Sequence, residues 1–282
     1  MPRIITAPQI KQSILNAYRD FPFQIDPQVL KLISSALQSE TDPGAQSILQ
    51  SILENAKLAR EEHLVPCQDT GTQIFFVELG TEVLIEGGTL EQIINGALAQ
   101  ASRENFLRAS IVQDPLFDRI NSGDNTPGVF HVKQAEGDRL RIRIAQKGGG
   151  AENMSRLFML TPASGPDDIE QLVLQVVREA GSKACPPLII GIGIGGNFET
   201  APLLAKSALL TELEETNPIP DYAALEQRLL EAVNSTGIGP MGLGGKTTAL
   251  RVLIRTAPCH IASQPLAVNL QCHSHKHTEI LL

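Results

Sequence analysis

The chain has 282 residues, 42% hydrophobic and 19% charged, with 31 acidic against 23 basic side chains for a net charge of −8. Such a chain can bury a sizeable core, while the absence of any Lys/Arg block, 4% aromatic content and no Trp argue against a nucleic-acid surface. No apolar run reaches the roughly 20 residues that span a bilayer, Met1-Pro2-Arg3-Ile4 lacks the layout of a signal peptide, and four widely spaced cysteines suit a reducing compartment, so a cytoplasmic protein with no membrane or nucleic-acid partner is expected.

Apolar residues at helical spacing predict a helix over 9–20, along Ile10, Ile14, Leu15 and Tyr18. A second follows over 27–38, with Asp26 as N-cap and Pro27 in the first turn. Asp42-Pro43-Gly44 is a break, and 47–62 reads as a third helix with Ile48, Leu49, Ile52, Leu53, Ala56 and Ala59 on one face. Pro66-Cys67-Gln68-Asp69-Thr70-Gly71 then packs a thiol, an amide, a carboxylate and a turn glycine into one loop. Gln73 to Gly80 is a buried strand, and Thr89 caps a helix over 90–104. Pro115, Gly123 and Pro127-Gly128 punctuate an irregular stretch.

Val129 to Val132 and Arg139 to Ala145 read as a hairpin turning at Glu136-Gly137-Asp138. Its second strand alternates Leu140, Ile142 and Ile144 with Arg139, Arg141 and Arg143, so one face is wet or ion-paired. Helices are expected over 166–181, 199–214 and 221–233. Pro187 to Gly196 reads as a strand entering a glycine loop, and Thr247 to Ile254 and Leu266 to Leu270 as further strands. With no internal repeat or low-complexity linker, the expected fold is mixed α/β. It is one compact domain over residues 1–282, a helical N-terminal block followed by a mixed sheet flanked by helices.

Two glycine loops invite nucleotide-binding readings, and both fail. Gly191-x-Gly193-x-x-Gly196 matches the dinucleotide fingerprint, yet the region where the acidic strand end belongs is still the helical Leu209-Leu210-Thr211-Glu212-Leu213. Gly239 to Thr247 resembles a phosphate loop, but Pro240 stands where that motif needs glycine, and a β-prone run follows instead of a helix. Glycines there bring backbone close to something else, and consecutive N–H groups can face an anion such as a carboxylate.

A lone cysteine is most often a small buried hydrophobe. Cys67, Cys185 and Cys272 instead sit in loops beside proline or hydrogen-bonding residues, while Cys259 lies between Pro258 and His260 near a turn. Three thiolates on an iron–sulfur cubane leave one iron without a protein ligand, an open Lewis-acid position like that of catalytic zinc. Zinc is the chemical alternative, although the C-x-x-C pairs of zinc ribbons are missing. The ending His273-Ser274-His275-Lys276-His277 has metal-tract composition and is expected to be an exposed terminus.

Taken together, these residues resemble the class I iron–sulfur fumarate hydratases and the related L-tartrate dehydratases. The matching blocks, spread from about residue 60 to 273, are Pro-Cys-Gln-Asp-Thr-Gly at 66–71, Leu-Arg-Ala-Ser at 107–110 and Lys-Gly-Gly-Gly-Ala-Glu-Asn at 147–153. Gly-Ile-Gly-Ile-Gly-Gly at 191–196, Gly-Pro-Met-Gly-Leu-Gly-Gly-Lys-Thr at 239–247, Pro-Cys-His-Ile-Ala-Ser at 258–263 and Gln-Cys-His at 271–273 complete them. The resemblance implies that Cys67, Cys185 and Cys272 ligate a 4Fe–4S cluster whose unique iron binds the substrate hydroxyl and a carboxylate. It places Gln68, Asp69, Arg108, Gly149 and His260 on a small dicarboxylate, with Asp69 and His260 as the catalytic candidates.

The implied reaction is the reversible dehydration of (S)-malate to fumarate, with L-tartrate as the alternative substrate. Single-chain members continue into a second domain, so the chain resembles an α subunit whose β subunit supplies further arginine, lysine and threonine contacts and the base. The ending lacks the arginines expected after Gln-Cys-His. A non-catalytic cluster sensor is a third reading, disfavoured because no basic DNA-reading element is present. An exposed iron implies an oxygen-sensitive enzyme.

Overall fold

The computed structural model describes residues 2–282, which form two compact units. In chain order the elements are β1 (Arg3–Thr6), α1 (Ala7–Tyr18), α2 (Pro27–Ser39), α3 (Pro43–Glu61), β2 (Thr72–Gly80), β3 (Val83–Glu86), α4 (Leu90–Glu104), β4 (Val129–Ala135) and β5 (Leu140–Lys147). There follow α5 (Gly149–Asn153), β6 (Arg156–Leu160), α6 (Pro166–Ala180), β7 (Leu188–Gly196), α7 (Thr200–Ala208), α8 (Pro220–Asn234), β8 (Ala249–Cys259), β9 (Gln264–Gln271) and β10 (His277–Leu281). The content is mixed α/β, as the patterning predicts. Among the described residues no helix is long and apolar enough to cross a membrane.

Unit 1 comprises the described residues up to Ile25, Leu58–Gly148 and Lys276–Leu282. Its mixed sheet runs β10-β5-β2-β4, with β2 parallel to β4 and antiparallel to β5. Phe75, Val77, Leu140, Ile142 and Ile144 pack one face of this sheet onto Ile10, Ile14, Ile94 and Leu98 of α1 and α4. The other face carries the expected ion pairs, with Glu78 meeting Lys133 at 3.0 Å, Arg141 at 3.7 Å and Arg143 at 3.8 Å.

Unit 2 comprises Asp26–Lys57 and Gly149–His275. Its sheet runs β6-β9-β7-β8, with β7 parallel to β8 and antiparallel to β9. Val173, Val176 and Val177 of α6 and Leu225, Leu229 and Val233 of α8 close its core over Ile190, Ile192, Val252 and Leu270. On α7, a Cβ at Gly191 would stand 2.2 Å from Ala205 O, and one at Gly193 the same distance from Ala201 O. The alternate glycines of β7 therefore let a helix lie directly on the strand.

Several expectations change. β4 and β5 are not hairpin partners, because β2 runs between them and the 136–138 turn folds over its end. Thr81 N–H donates to Ala135 O and Glu82 N–H to Gly137 O there, both at 2.9 Å. Gly80 makes room, since a Cβ on it would lie 2.3 Å from Gly137 O. The helix expected over 199–214 ends at Ala208. The Gln28 side chain accepts the Leu213 N–H at 2.5 Å and donates to Glu212 at 2.6 Å, fixing that stretch as turns.

The C-terminal histidine tract is not an exposed terminus: Ser274, His275 and Lys276 are 7%, 2% and 3% exposed. His275 O accepts Asp26 N–H at 3.0 Å, and residues 277–281 become β10 on β5. The short strands β1, β3, β6 and β10 carry too little pattern to be anticipated.

Candidate active site

In unit 1 the cysteine loop follows α3. The Cys67 thiol donates to Gln68 Oε1 and its sulfur accepts the Asp69 N–H, both at 3.5 Å. Asp69 Oδ1 accepts the Gly71 N–H at 2.9 Å, a self-closing turn that Gly71 continues at φ +69. A Cβ at Gly71 would lie 2.5 Å from Lys147 O, so glycine is required twice over.

The support beneath was not visible in the motif. Thr70 and Gln73 are fully covered, at 1% and 0% exposure. Gln73 Nε2 donates to Thr70 O at 3.0 Å and Gly71 O at 3.3 Å, while its Oε1 accepts the Tyr18 hydroxyl at 2.7 Å. Burial raises the Tyr18 phenol well above its ordinary range, so this donor keeps its proton.

Thr70 also joins the second motif, its hydroxyl donating to Arg108 O at 2.7 Å. Ser110 N–H donates to Oδ1 of the buried Asn125 at 2.7 Å, and Asn121 donates to Ala109 O at 2.9 Å. The backbone of 108–110 is thus pinned residue by residue, while the Arg108 side chain stays exposed. Gln68 is exposed and Asp69 partly buried in the same unit.

Unit 2 holds Cys185 and Cys272 at one end of its sheet. Ile189 of β7 pairs with Gln271 of β9, so Cys272 leaves β9 where the chain from Cys185 enters β7. Cys185 closes the 3-10 turn Gly181–Ala184 in a left-handed conformation, φ 53. Its carbonyl accepts His273 N–H at 3.4 Å and His273 Nδ1–H at 3.0 Å. Burial lowers the His273 pKa more than that bond raises it, and because a carbonyl oxygen only accepts, the contact assigns a proton to Nδ1. Gly149 opens α5 with an exposed backbone, and a Cβ on its neighbour Gly150 would lie 2.9 Å from Lys183 O of the Cys185 turn.

His260 is not brought to this end. It sits in the loop between β8 and β9, beyond the opposite end of β7, where Gly196 pairs with Cys259. The eight residues of β9 put it about 25 Å from Cys272 at roughly 3.4 Å per residue. There the exposed His260 accepts the Ala262 N–H at 3.1 Å on Nδ1.

No disulfide joins the four cysteines. Cys67, Cys185 and Cys272 are partly buried and Cys259 is exposed, the same division that their sequence settings suggest. Among the described residues no three His, Cys, Asp or Glu side chains are gathered closely enough to hold a metal ion. The thiol chemistry nevertheless suits a soft iron–sulfur group. Two of the thiols are already held at one end of a sheet, and the third stands beside backbone and amide donors.

The model of the fumarate hydratase (Fumerase) family matches residues 11–281. A putative L(+)-tartrate dehydratase subunit alpha of Methanocaldococcus jannaschii is 37% identical over 269 residues, covering 94% of each chain. The L(+)-tartrate dehydratase subunit alpha of Escherichia coli (strain K12) is 31% identical over 258 residues, 90% of this chain and 84% of that one. Fold, site and matches define an enzyme of the hydro-lyase class. The chain belongs to the fumarate hydratase family.

Proposed function

We propose that the chain is the α subunit of a two-subunit, iron–sulfur hydro-lyase that interconverts (S)-malate and fumarate in the cytoplasm. The observation that carries this is the sorting of the cysteines in a member of this family. The three loop cysteines are partly buried while Cys259 is exposed, and the Cys185 turn is linked to the end of the Cys272 strand through His273. Held by Cys67, Cys185 and Cys272, a 4Fe–4S cluster would supply an open Lewis-acid position for the departing hydroxyl.

The protein's own groups do the rest. Arg108 presents a two-pronged donor to one substrate carboxylate, and the Gln68 amide offers a further donor. The exposed backbone at Gly149 admits a carboxylate closely. Asp69, held by its turn to Gly71, is assigned to the proton path, and the base that takes the carbon-bound proton to a β subunit. His260 lies a strand length from Cys272 within unit 2, so it can serve this centre only when delivered by another copy of the chain.

L-tartrate is the second reading, favoured by the names of the relatives; the two substrates differ by one hydroxyl. The test is anaerobic assay of the reconstituted chain, with and without its β subunit, on both substrates. The pair should turn over one of them, the chain alone should turn over neither at a comparable rate, and exposure to air should abolish activity until ferrous iron and a reductant are added. Activity that survives air, or full turnover by the isolated chain, would sink the proposal.

A further inference from the structure

The Cys185 turn is gripped from two sides, and neither grip has a role in the reaction as described so far. On one side His273, the residue after Cys272, gives the Cys185 carbonyl two donors, its backbone N–H and its Nδ1–H. On the other, the glycine-dense stretch that fails as a phosphate loop lies against the same turn. Met241 N–H donates to Pro186 O at 2.8 Å. Gly242, at φ +76, comes so close to Ser182 that a Cβ would stand 2.7 Å from that residue's Cβ.

This stretch is itself braced. Gly239 N–H donates to the buried Thr248 hydroxyl at 3.0 Å, Gly244 N–H to Ile238 O at 2.9 Å, and Lys246 N–H to the Glu40 carboxylate at 2.7 Å. The N–H groups of Gly239, Met241, Gly244 and Lys246 are spent on protein acceptors, which explains the glycines without a nucleotide.

We propose that His273 is a positioning residue. Through Nδ1 it locks the Cys185 turn to the Cys272 strand end, with the 239–245 loop as the backstop, so that the two thiolates are presented together to the metal group. This rests on the iron–sulfur reading above. The carbonyl is the acceptor, so what matters is a donor on the atom attached to Cγ. Asn carries such a donor at Nδ2. Gln places its amide nitrogen one bond further out, where it mimics Nε2.

The experiment uses the full chain with its β subunit, reconstituted anaerobically. It compares wild type with H273A, H273N, H273Q and G242A, and with C185S as the ligand-loss control. Iron per chain and the rate of iron release to a chelator are read, with the melting temperature of the metal-free protein as the check on folding. H273A and H273Q should release iron about 10- to 100-fold faster than wild type, the range typical of residues that orient metal ligands. H273N should stay within about threefold of wild type, and G242A should resemble H273A because the backstop has moved.

Iron release from H273A at the wild-type rate, with wild type fully loaded, overturns the positioning role alone. So does rescue by Gln in place of Asn, which would point to Nε2. A wild-type complex that holds no more iron than C185S overturns the iron–sulfur reading and this inference with it.

Discussion

Glu40 is a carboxylate with 3% of its surface exposed, at the end of α2, and it holds the glycine loop to that helix. Its Oε1 accepts Thr41 N–H at 2.8 Å and Asp42 N–H at 3.0 Å, and its Oε2 accepts Lys246 N–H at 2.7 Å. Glu40→Gln keeps one oxygen for the first two donors and points an NH2 group at the third. A hydrogen bond to a charged group contributes about 1.5–3 kcal/mol. Losing one and turning two into neutral bonds of roughly half the strength gives an expected cost of about 3–6 kcal/mol.

The pH dependence has a definite sign. Burial raises the Glu40 pKa, but the backbone donors of Asp42, Lys246 and Thr41 and the Lys246 charge outweigh it, leaving the folded value below the ordinary one. A depressed carboxylate pKa contributes stability that is fully present above the unfolded value of about 4.3 and is lost as pH falls through the folded value. Urea unfolding of wild type and Glu40→Gln should therefore differ by the full amount at pH 7, with the gap closing only as pH falls below the unfolded value and through the folded one. Amide exchange at Met241, Gly242 and Lys246 should speed up in the variant more than exchange in β7. A stability gap below about 0.5 kcal/mol at pH 7, or one that is unchanged in acid, refutes the reasoning.

Gly193→Ala forces a Cβ to 2.2 Å from Ala201 O and 2.7 Å from Ala205 N, so α7 must back away; a loss of about 1–3 kcal/mol or more is expected in thermal unfolding. Gly96, inside α4 with nothing within 4 Å of a Cβ, is the opposite case, and Gly96→Ala should stabilise by about 0.5–1 kcal/mol in the same measurement. Glu226→Ala leaves the Ile254 N–H of edge strand β8 without its acceptor, now at 2.7 Å, and takes one of two acceptors from the Asn217 amide, which keeps Ile254 O at 3.0 Å; it should cost about 1–3 kcal/mol in urea. Cys259→Ser should leave the iron content of the reconstituted complex unchanged, whereas Cys67→Ser, Cys185→Ser and Cys272→Ser should each lower it.

The sequence is most legible where one periodicity acts over many residues. Ile10, Ile14 and Tyr18 mark α1, and Leu140, Ile142 and Ile144 mark the buried face of β5, because each set answers to a single apolar surface. The hairpin reading fails for a reason of range. Nothing in Val129–Val132 or in 139–145 says that β2, some 50 residues earlier in the chain, runs between them. The histidine tract misleads because composition is blind to pairing. His275 and Lys276 look like a polar tail until the register with β5 makes His277–Leu281 an edge strand.

The glycine stretches show the same limit at the site itself. Gly191, Gly193, Gly239 and Gly242 all announce a close backbone approach, and the sequence cannot name the body that approaches. For β7 it is helix α7, and for the 239–245 loop it is the turn that carries Cys185. A phosphate cradle needs several N–H groups pointing at nothing the protein supplies. Here Gly239, Met241, Gly244 and Lys246 donate to Thr248, Pro186, Ile238 and Glu40. These donors are spent on protein acceptors, one of them in the turn that carries Cys185, which is why a motif with the look of a nucleotide site presents no such cradle.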